Sequence, residues 1–431
     1  MPSPIAAARP DPLLRLLGAR PGEGAALAWS FVYFFCLLTG YYVLRPVRDA
    51  VGADYQLQLL FTATFLCMVA LTPIYGALVS RYPRRVFLPV VYGFFVACLL
   101  LFHLAFRFDV PFRAPVFFVW VAVFNLFAVS VFWSFMSDIF EHDQAKRFYG
   151  TIAAGGTAGA LVGPTLTTLL VAQIGIANLL LISAALLGVC LVAMLKLNPR
   201  ALAQESRRGT RSGDEAMGGS MLAGIRLIGE SRFLTAVCVL MFFGVGVGTL
   251  LYYEQAAITR LAYPDRDERT AFYAAIDLAI NVLVLATQVS LTRVLLTRYG
   301  VAPLLLIPSA LVLAGFVLLT ASPLPLLVAA VQVVTRAGNF AMIQPARESL
   351  FTRVDRESRY KAKSFIDTVV YRAGDLGFGW FHAGLMVLGF SSAAVFGVGV
   401  AVALGLGFGA SWIARLEKGL PASAPGEGPK A

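Results

Sequence analysis

Twelve apolar stretches separated by short polar breaks run along the chain, at residues 25–44, 57–79, 86–106, 115–137, 150–172, 177–195, 233–258, 271–296, 301–321, 324–346, 364–388 and 390–413. A helix of roughly 20 apolar residues crosses a hydrocarbon core about 30 Å thick. The pattern therefore predicts an all-α polytopic membrane protein of twelve transmembrane helices. Composition agrees, with 58% of the 431 residues hydrophobic and 14% charged, outside the range of soluble globular chains. Residues 1–24 form a Pro/Arg/Gly-rich tail that leads into a full-length span, with no signal-type apolar core and cleavage site, so the tail is expected to be retained.

The charges then orient the spans. With the N-terminus inside, 26 of the 35 Lys and Arg fall on the cytoplasmic side and 7 on the other, while Arg336 and Arg372 lie within spans. The positive-inside rule sets both termini in the cytoplasm, the chain being expected in a bacterial inner (plasma) membrane. The longest break, 196–232, holds "RRGTRSGDEAMGGS", a basic, Gly/Ser-rich stretch expected to be a flexible cytoplasmic linker. It separates an N-terminal six-helix half, 25–195, from a C-terminal half, 233–413, which precedes a tail at 414–431. Two short matches relate the halves. "VSRYP" at 79–83 resembles "LTRYG" at 296–300, and "DQAKRF" at 143–148 resembles "DRESRY" at 355–360. The offsets nearly agree and fall on the same loops of each half, as expected of a duplicated unit in the major facilitator arrangement.

Longer motifs carry a family resemblance. "GALVSRYPRR" (76–85) resembles the basic loop after the second helix of major facilitator transporters, and "GALVGP" (159–164) the first half of a fifth-helix antiporter motif. "YYVLRPVRDA" (41–50), "SDIFEHDQAKRFYGTIAAGGTAGALVGP" (137–164), "YYEQA" (252–256) and "RESLFTRVDRESRYKAKSFIDTVVYRAGDLGFG" (347–379) together resemble the bacterial, plastid and parasite ATP/ADP translocase family and its bacterial relatives. The resemblance implies the major facilitator fold and an antiporter that exchanges nucleotides.

Charges inside spans point to a site. A mid-span Arg costs about 2.5–3.5 kcal/mol on insertion scales, so it faces a wet cavity or a partner. Gln332, Arg336 and Asn339 share a stripe of the tenth helix, as do Asp277, Asn281 and Gln288 of the eighth. In the eleventh, Asp367 and Tyr371 share one face, and Thr368, Arg372 and Asp375 the adjacent one. The first helix is expected to stop at Pro46, which places Arg45 and Arg48 near its non-cytoplasmic end on the face of Tyr41, with Asp49 as a local partner. Arginine presents a planar fork of donors to carboxylate or phosphate. Arg45, Arg48, Arg336, Arg372, Asn281, Asn339 and Tyr371 are therefore the candidate substrate contacts. Asp49, Asp277, Asp367 and Asp375 are candidate ion-pair or coupling partners, and Glu254 and Asp138 candidate gates. The bland alternative is that the arginines merely pair with aspartates between helices.

Other chemistries find little footing. "GGTAGALVGP" lacks the lysine of a phosphate loop and lies inside a span; its Gly155, Gly159 and Gly163 form a small-residue ridge for close helix contact. The five cysteines show no paired spacing, and His103, His142 and His382 no metal spacing. No catalytic residue, metal, cofactor, nucleic acid or protein partner is implied. The expected partners are membrane lipids and a small organic anion, nucleotide-like or phosphate-bearing, moved by alternating access. A proton-coupled exporter of lipophilic compounds and a non-transporting scaffold or sensor on the same fold are the alternatives.

Overall fold

The computed structural model describes residues 20, 23–81, 84–208, 228–351, 362–363 and 365–419, with side chains except at 72–81, 84–88, 138, 142–143, 146, 201–208, 368 and 418. These residues form twelve helices. They are α1 (Gly24–Gly52), α2 (Leu57–Arg81), α3 (Arg84–Arg107), α4 (Arg113–Ile139), α5 (142–174), α6 (176–208), α7 (Arg232–Ala262), α8 (Arg266–Tyr299), α9 (Ala302–Ala321), α10 (Pro325–Phe351), α11 (366–387) and α12 (Ser392–Leu416). Among the described residues, nine helical runs are long and apolar enough to cross a membrane, α5 and α6 counting as one run. The protein is a multi-pass, all-helical membrane protein.

Several boundaries differ from the sequence expectation. Pro46 does not end α1, which continues to Gly52. A proline inside a helix costs about 3 kcal/mol, but here Val43, Leu44, Val47, Ala50 and Val51 are fully buried around it. Packing of that turn offsets the lost hydrogen bond. The break expected between the fifth and sixth spans shrinks to Gly175, whose φ of 74° only glycine adopts readily. The helical run continues to Arg208, so residues 196–208 are helix rather than linker, and 209–227 lie outside the described residues. Elsewhere the helix starts follow ordinary capping chemistry. Ser231 and Ser391 accept from Leu234 N and Ala394 N, and Asp265 accepts from Asp267 N and Glu268 N.

The chain divides into two compact units, one of Met1–Val51 and Leu66–Gly213, the other of Gly52–Phe65 and Asp214–Ala431. The core of unit 1 is aromatic. Phe34 stacks on Phe132 at 4.3 Å, Tyr33 meets Phe132 edge-on at 4.8 Å, and Trp120 stacks on Phe124 at 5.3 Å. The glycine ridge lies along α1: a Cβ on Gly159 would sit 2.5 Å from the Phe35 carbonyl oxygen, and one on Gly163 2.7 Å from that of Thr39. Backbone meets backbone there, as the small-residue pattern implies. At the edge of the unit, Arg147 and Gln144 reach Glu23, just before α1. Burial alone raises the Glu23 carboxyl, but hydrogen bonds from Arg147, the Arg20 backbone and Gln144, with the Arg147 charge, outweigh it and bring it down to about 2.

Unit 2 is built on α7, α9, α10 and α12, whose Leu240, Leu250, Leu304, Phe316, Val328, Phe396 and Ala403 pack together. Its other feature is a set of three π turns, Gln288–Thr292 in α8, Asn339–Ile343 in α10 and Ile366–Val370 opening α11. These are the three helices whose sequences carry polar stripes. A π turn adds one residue to a helical turn and leaves the backbone ladder locally strained, a feature frequent at functional sites.

Candidate functional site

In unit 2 the stripes of α8 and α10 meet. Arg336 Nη1 donates to Asp277 Oδ1 at 3.4 Å, the carboxylate being 4% exposed and the guanidinium 27%. The π turns lock alongside, with Thr292 Oγ1 donating to the Ala341 carbonyl at 2.8 Å and Gln288 Nε2 to that of Phe340 at 3.4 Å. One helical turn from Arg336, Gln332 is 2% exposed and its Oε1 has no hydrogen-bond partner; the buried Thr335 hydroxyl also has none. Buried polar atoms are normally satisfied, and exceptions call for an explanation such as a ligand. Asn281 lies one turn along α8 from Asp277 and is half-buried, whereas Asn339 is exposed within its π turn.

The second candidate arginine sits on α11. Arg372 Nη1 is 4.0 Å from Asp375 Oδ2, one turn on, and its guanidinium lies 5.9 Å from the ring of Tyr371, which is exposed. Asp375 also accepts from Thr249 of α7 at 3.0 Å. Asp367 joins neither Arg336 nor Arg372. It accepts from Arg347 of α10 at 2.7 Å. Arg347 is buried, with Glu348 as a second partner at 3.3 Å.

Another missed arginine closes the opposite end of α8. Arg269, 1% exposed, donates to Asp54 at 2.7 Å, and Arg266 donates to the other oxygen at 2.9 Å. Asp54 belongs to the segment Gly52–Phe65 that packs within unit 2. The one sequence signal was the acid-rich "PDRDER" at the start of α8, which reads equally as a solvated loop.

Glu254 is the first of the two expected gates. It is fully buried on α7, with Oε1 2.7 Å from His382 Nε2 on α11. The side chain of its expected companion Asp138, and the charged segment 352–361, lie outside the described residues. In unit 1, Arg48 binds the buried Asp49 through Nη2 at 2.6 Å and Nε at 2.9 Å and covers the Phe118 ring at 5.1 Å. Arg45 is 5.8 Å from the Tyr42 ring centroid.

Two kinds of arginine result. Arg269 and Arg347 hold carboxylates at 2.7 Å and are buried, as structural pairs are. Arg336 and Arg372 approach theirs at 3.4 and 4.0 Å and keep about a third of their surface open. Long, partly open pairs of this kind can exchange a protein carboxylate for an incoming anion.

The chain belongs to the Major Facilitator Superfamily, whose family description matches residues 30–376. It is 21% identical over 296 residues to ADP,ATP carrier protein 1 of Chlamydia muridarum (strain MoPn / Nigg), a match covering 60% of this chain and 55% of that carrier. Solved structures share the fold. A POT family transporter in complex with 5-aminolevulinic acid superposes with a TM-score of 0.63 at 12% identity, covering 91% of this chain and 96% of that one. The nucleoside transporter NupG gives 0.59 at 14%, covering 92% and 100%. A bacterial homologue of the lysosomal transporter Spinster gives 0.52 at 16%, covering 94% and 98%.

Proposed function

We propose that this secondary transporter moves an organic anion, nucleotide-like or phosphate-bearing, by alternating access, with Arg336 as the principal anion contact and Arg372 as a second. The observation that carries the reading is the Arg336–Asp277 pair: a 3.4 Å contact to a carboxylate nearly sealed from solvent, beside the unsatisfied Gln332 Oε1. A phosphate or carboxylate offers Arg336 a bidentate, charge-assisted partner. The unsatisfied amide and hydroxyl of Gln332 and Thr335 are suited to the polar remainder of such a substrate. Similarity to an ADP,ATP carrier supports the nucleotide class, and exchange of one nucleotide for another is the mode it suggests. Both termini cytoplasmic in a bacterial inner membrane is the orientation that the basic residues favour.

The test is exchange in proteoliposomes. With ADP inside, labelled ATP outside should accumulate, and Arg336→Ala should reduce the rate by roughly tenfold or more, the value of one charge-assisted hydrogen bond. Accumulation of lipophilic cations with no response to ATP, ADP or sugar phosphates would overturn the reading in favour of an exporter.

A further inference from the structure

The contact between α7 and α11 contains a second, separate set of ionisable groups. Glu254 is 0% exposed and His382 7%, and they are joined at 2.7 Å. Neither has a Lys or Arg partner among the described residues. Glu254 Oε2 is buried without a hydrogen-bond partner, and so is the hydroxyl of the adjacent Tyr253, whose ring centroid lies 5.1 Å from that of His382. Glycine at 379 is what admits that hydroxyl to α11, since a Cβ there would stand 2.6 Å from it. We propose that Glu254 and His382 form a proton-binding site that couples proton movement to opening of the α7–α11 contact.

Charge balance supports this. With no proton on the carboxylate and a neutral imidazole, the pair carries a net negative charge in a sealed site. With one proton shared between them it carries none, whether written as carboxylate with imidazolium or carboxylic acid with imidazole. With two it is net positive. Burying an uncompensated charge costs several kcal/mol, so the sealed pair retains one proton, which belongs to the two groups jointly. Admitting water removes that penalty. The proton can then leave to solvent, with no other bond made or broken. The unused Oε2 is the acceptor at which a water or an incoming hydroxyl would first bind.

Surrounding charges do not supply the missing compensation. On α11, Asp375 is held by Thr249 and lies 4.0 Å from Arg372, while Asp367 is held by Arg347. On α8, Tyr273 pairs with Thr259 and Asp277 with Arg336 of α10. α12 carries only Arg415, at its far end. Asp54 is occupied by Arg266 and Arg269 of α8. The site depends on the transporter reading for its purpose and on nothing in the nucleotide assignment.

The experiment uses the full chain in lipid nanodiscs. Infrared difference spectra across about pH 5 to 9, the range in which imidazole titrates, should show a titrating carboxyl or imidazolium signal. Glu254→Gln and His382→Gln should each abolish the same signal. Amide hydrogen exchange around residues 250–256, divided by the intrinsic exchange rate at each pH, should rise by about tenfold per pH unit above the titration, the slope for one released proton. Glu254→Gln, a neutral stand-in for the protonated acid, should flatten that slope. Where a variant does not fold, Glu254→Asp serves, with a displaced titration expected. Loss of two different signals, one per variant, or a slope unchanged in Glu254→Gln, would overturn the proposal. ATP exchange in proteoliposomes separates the two readings: no exchange with the titration intact removes the nucleotide, whereas exchange without any titration removes the proton site.

Discussion

In unit 1 the fifth helix of the six-helix run meets the first through Gly155, Gly159 and Gly163, and what it meets is backbone: the carbonyls of Phe31, Phe35 and Thr39. In unit 2 the corresponding fifth and first helices, α11 and α7, also meet through glycine. Gly246 faces the Phe378 ring and Gly379 the Tyr253 hydroxyl. Both contacts use the absence of a Cβ to bring helices close, yet they differ in what is brought together. At the glycine seam of α1 and α5, Thr39 Oγ1 bonds its own helix, donating to Phe35 O at 2.7 Å. The α7–α11 contact carries Glu254 with His382 and Thr249 with Asp375. In a lipid solvent apolar burial gives little drive for helix association, so close packing and polar pairing are the two remaining means. The glycine seam of unit 1 relies on the first and that of unit 2 adds the second.

The largest expected effect tests the charged side of that contrast. Asp54→Ala leaves Arg269 buried without a counter-charge and should destabilise the protein by about 3–5 kcal/mol, read as a fall in melting temperature. Arg266→Ala, at a 38% exposed side chain, should cost far less. Equal effects would mean that Arg269 finds another partner and that unit 2 does not depend on the pair.

Next in size is the apolar side. Gly159→Val places a Cβ within 2.5 Å of a carbonyl and 2.9 Å of the Thr39 amide nitrogen, neither of which can move without bending α1. Overpacking of about 1–3 kcal/mol follows. Gly248→Ala in α7, where nothing lies within 4 Å of the new Cβ, is the control and should stay within about 0.5 kcal/mol of wild type. If both glycine variants melt alike, the α1–α5 contact is not the close-packed seam described.

The smallest effect concerns the depressed carboxylate of Glu23 in unit 1. Glu23 is held at about 2, below the ordinary value of 4.5. The unfolded chain therefore binds more protons in that interval, and the stability from Glu23 is present above about 4.5 and lost as pH falls toward about 2. Arg147→Gln should make melting less sensitive to pH across that window. An unchanged pH profile would show that the contact with Glu23 contributes nothing measurable.

How much of this could be read from sequence follows from the kind of signal. The helices are legible because length and apolarity are local properties, and the glycine ridge because a step of four residues fixes a face. The polar stripes of α8, α10 and α11 were legible too, and the structure does bring Asp277 to Arg336. What was not legible was partnership. Asp367 pairs with Arg347 rather than with Arg336 or Arg372, and Arg269 pairs with an aspartate more than two hundred residues away, both through tertiary packing. His382 carried no local signal, being one histidine in an apolar span. Pro46 misled because its cost is local whereas the packing that offsets it is not.

The central claim is that Arg336 serves an anion rather than the fold. It is tested most directly by melting temperature and ligand-induced shift, with ATP, ADP and a sugar phosphate as probes, in wild type, Arg336→Lys, Arg336→Ala and Arg336→Ala with Asp277→Asn. A ligand that binds the folded state raises its apparent stability. The account predicts that Arg336→Lys melts near wild type but loses the shift, because charge is kept and the bidentate fork is gone. Stability lost in Arg336→Ala and restored in the double variant, with no variant altering any ligand response, would contradict it.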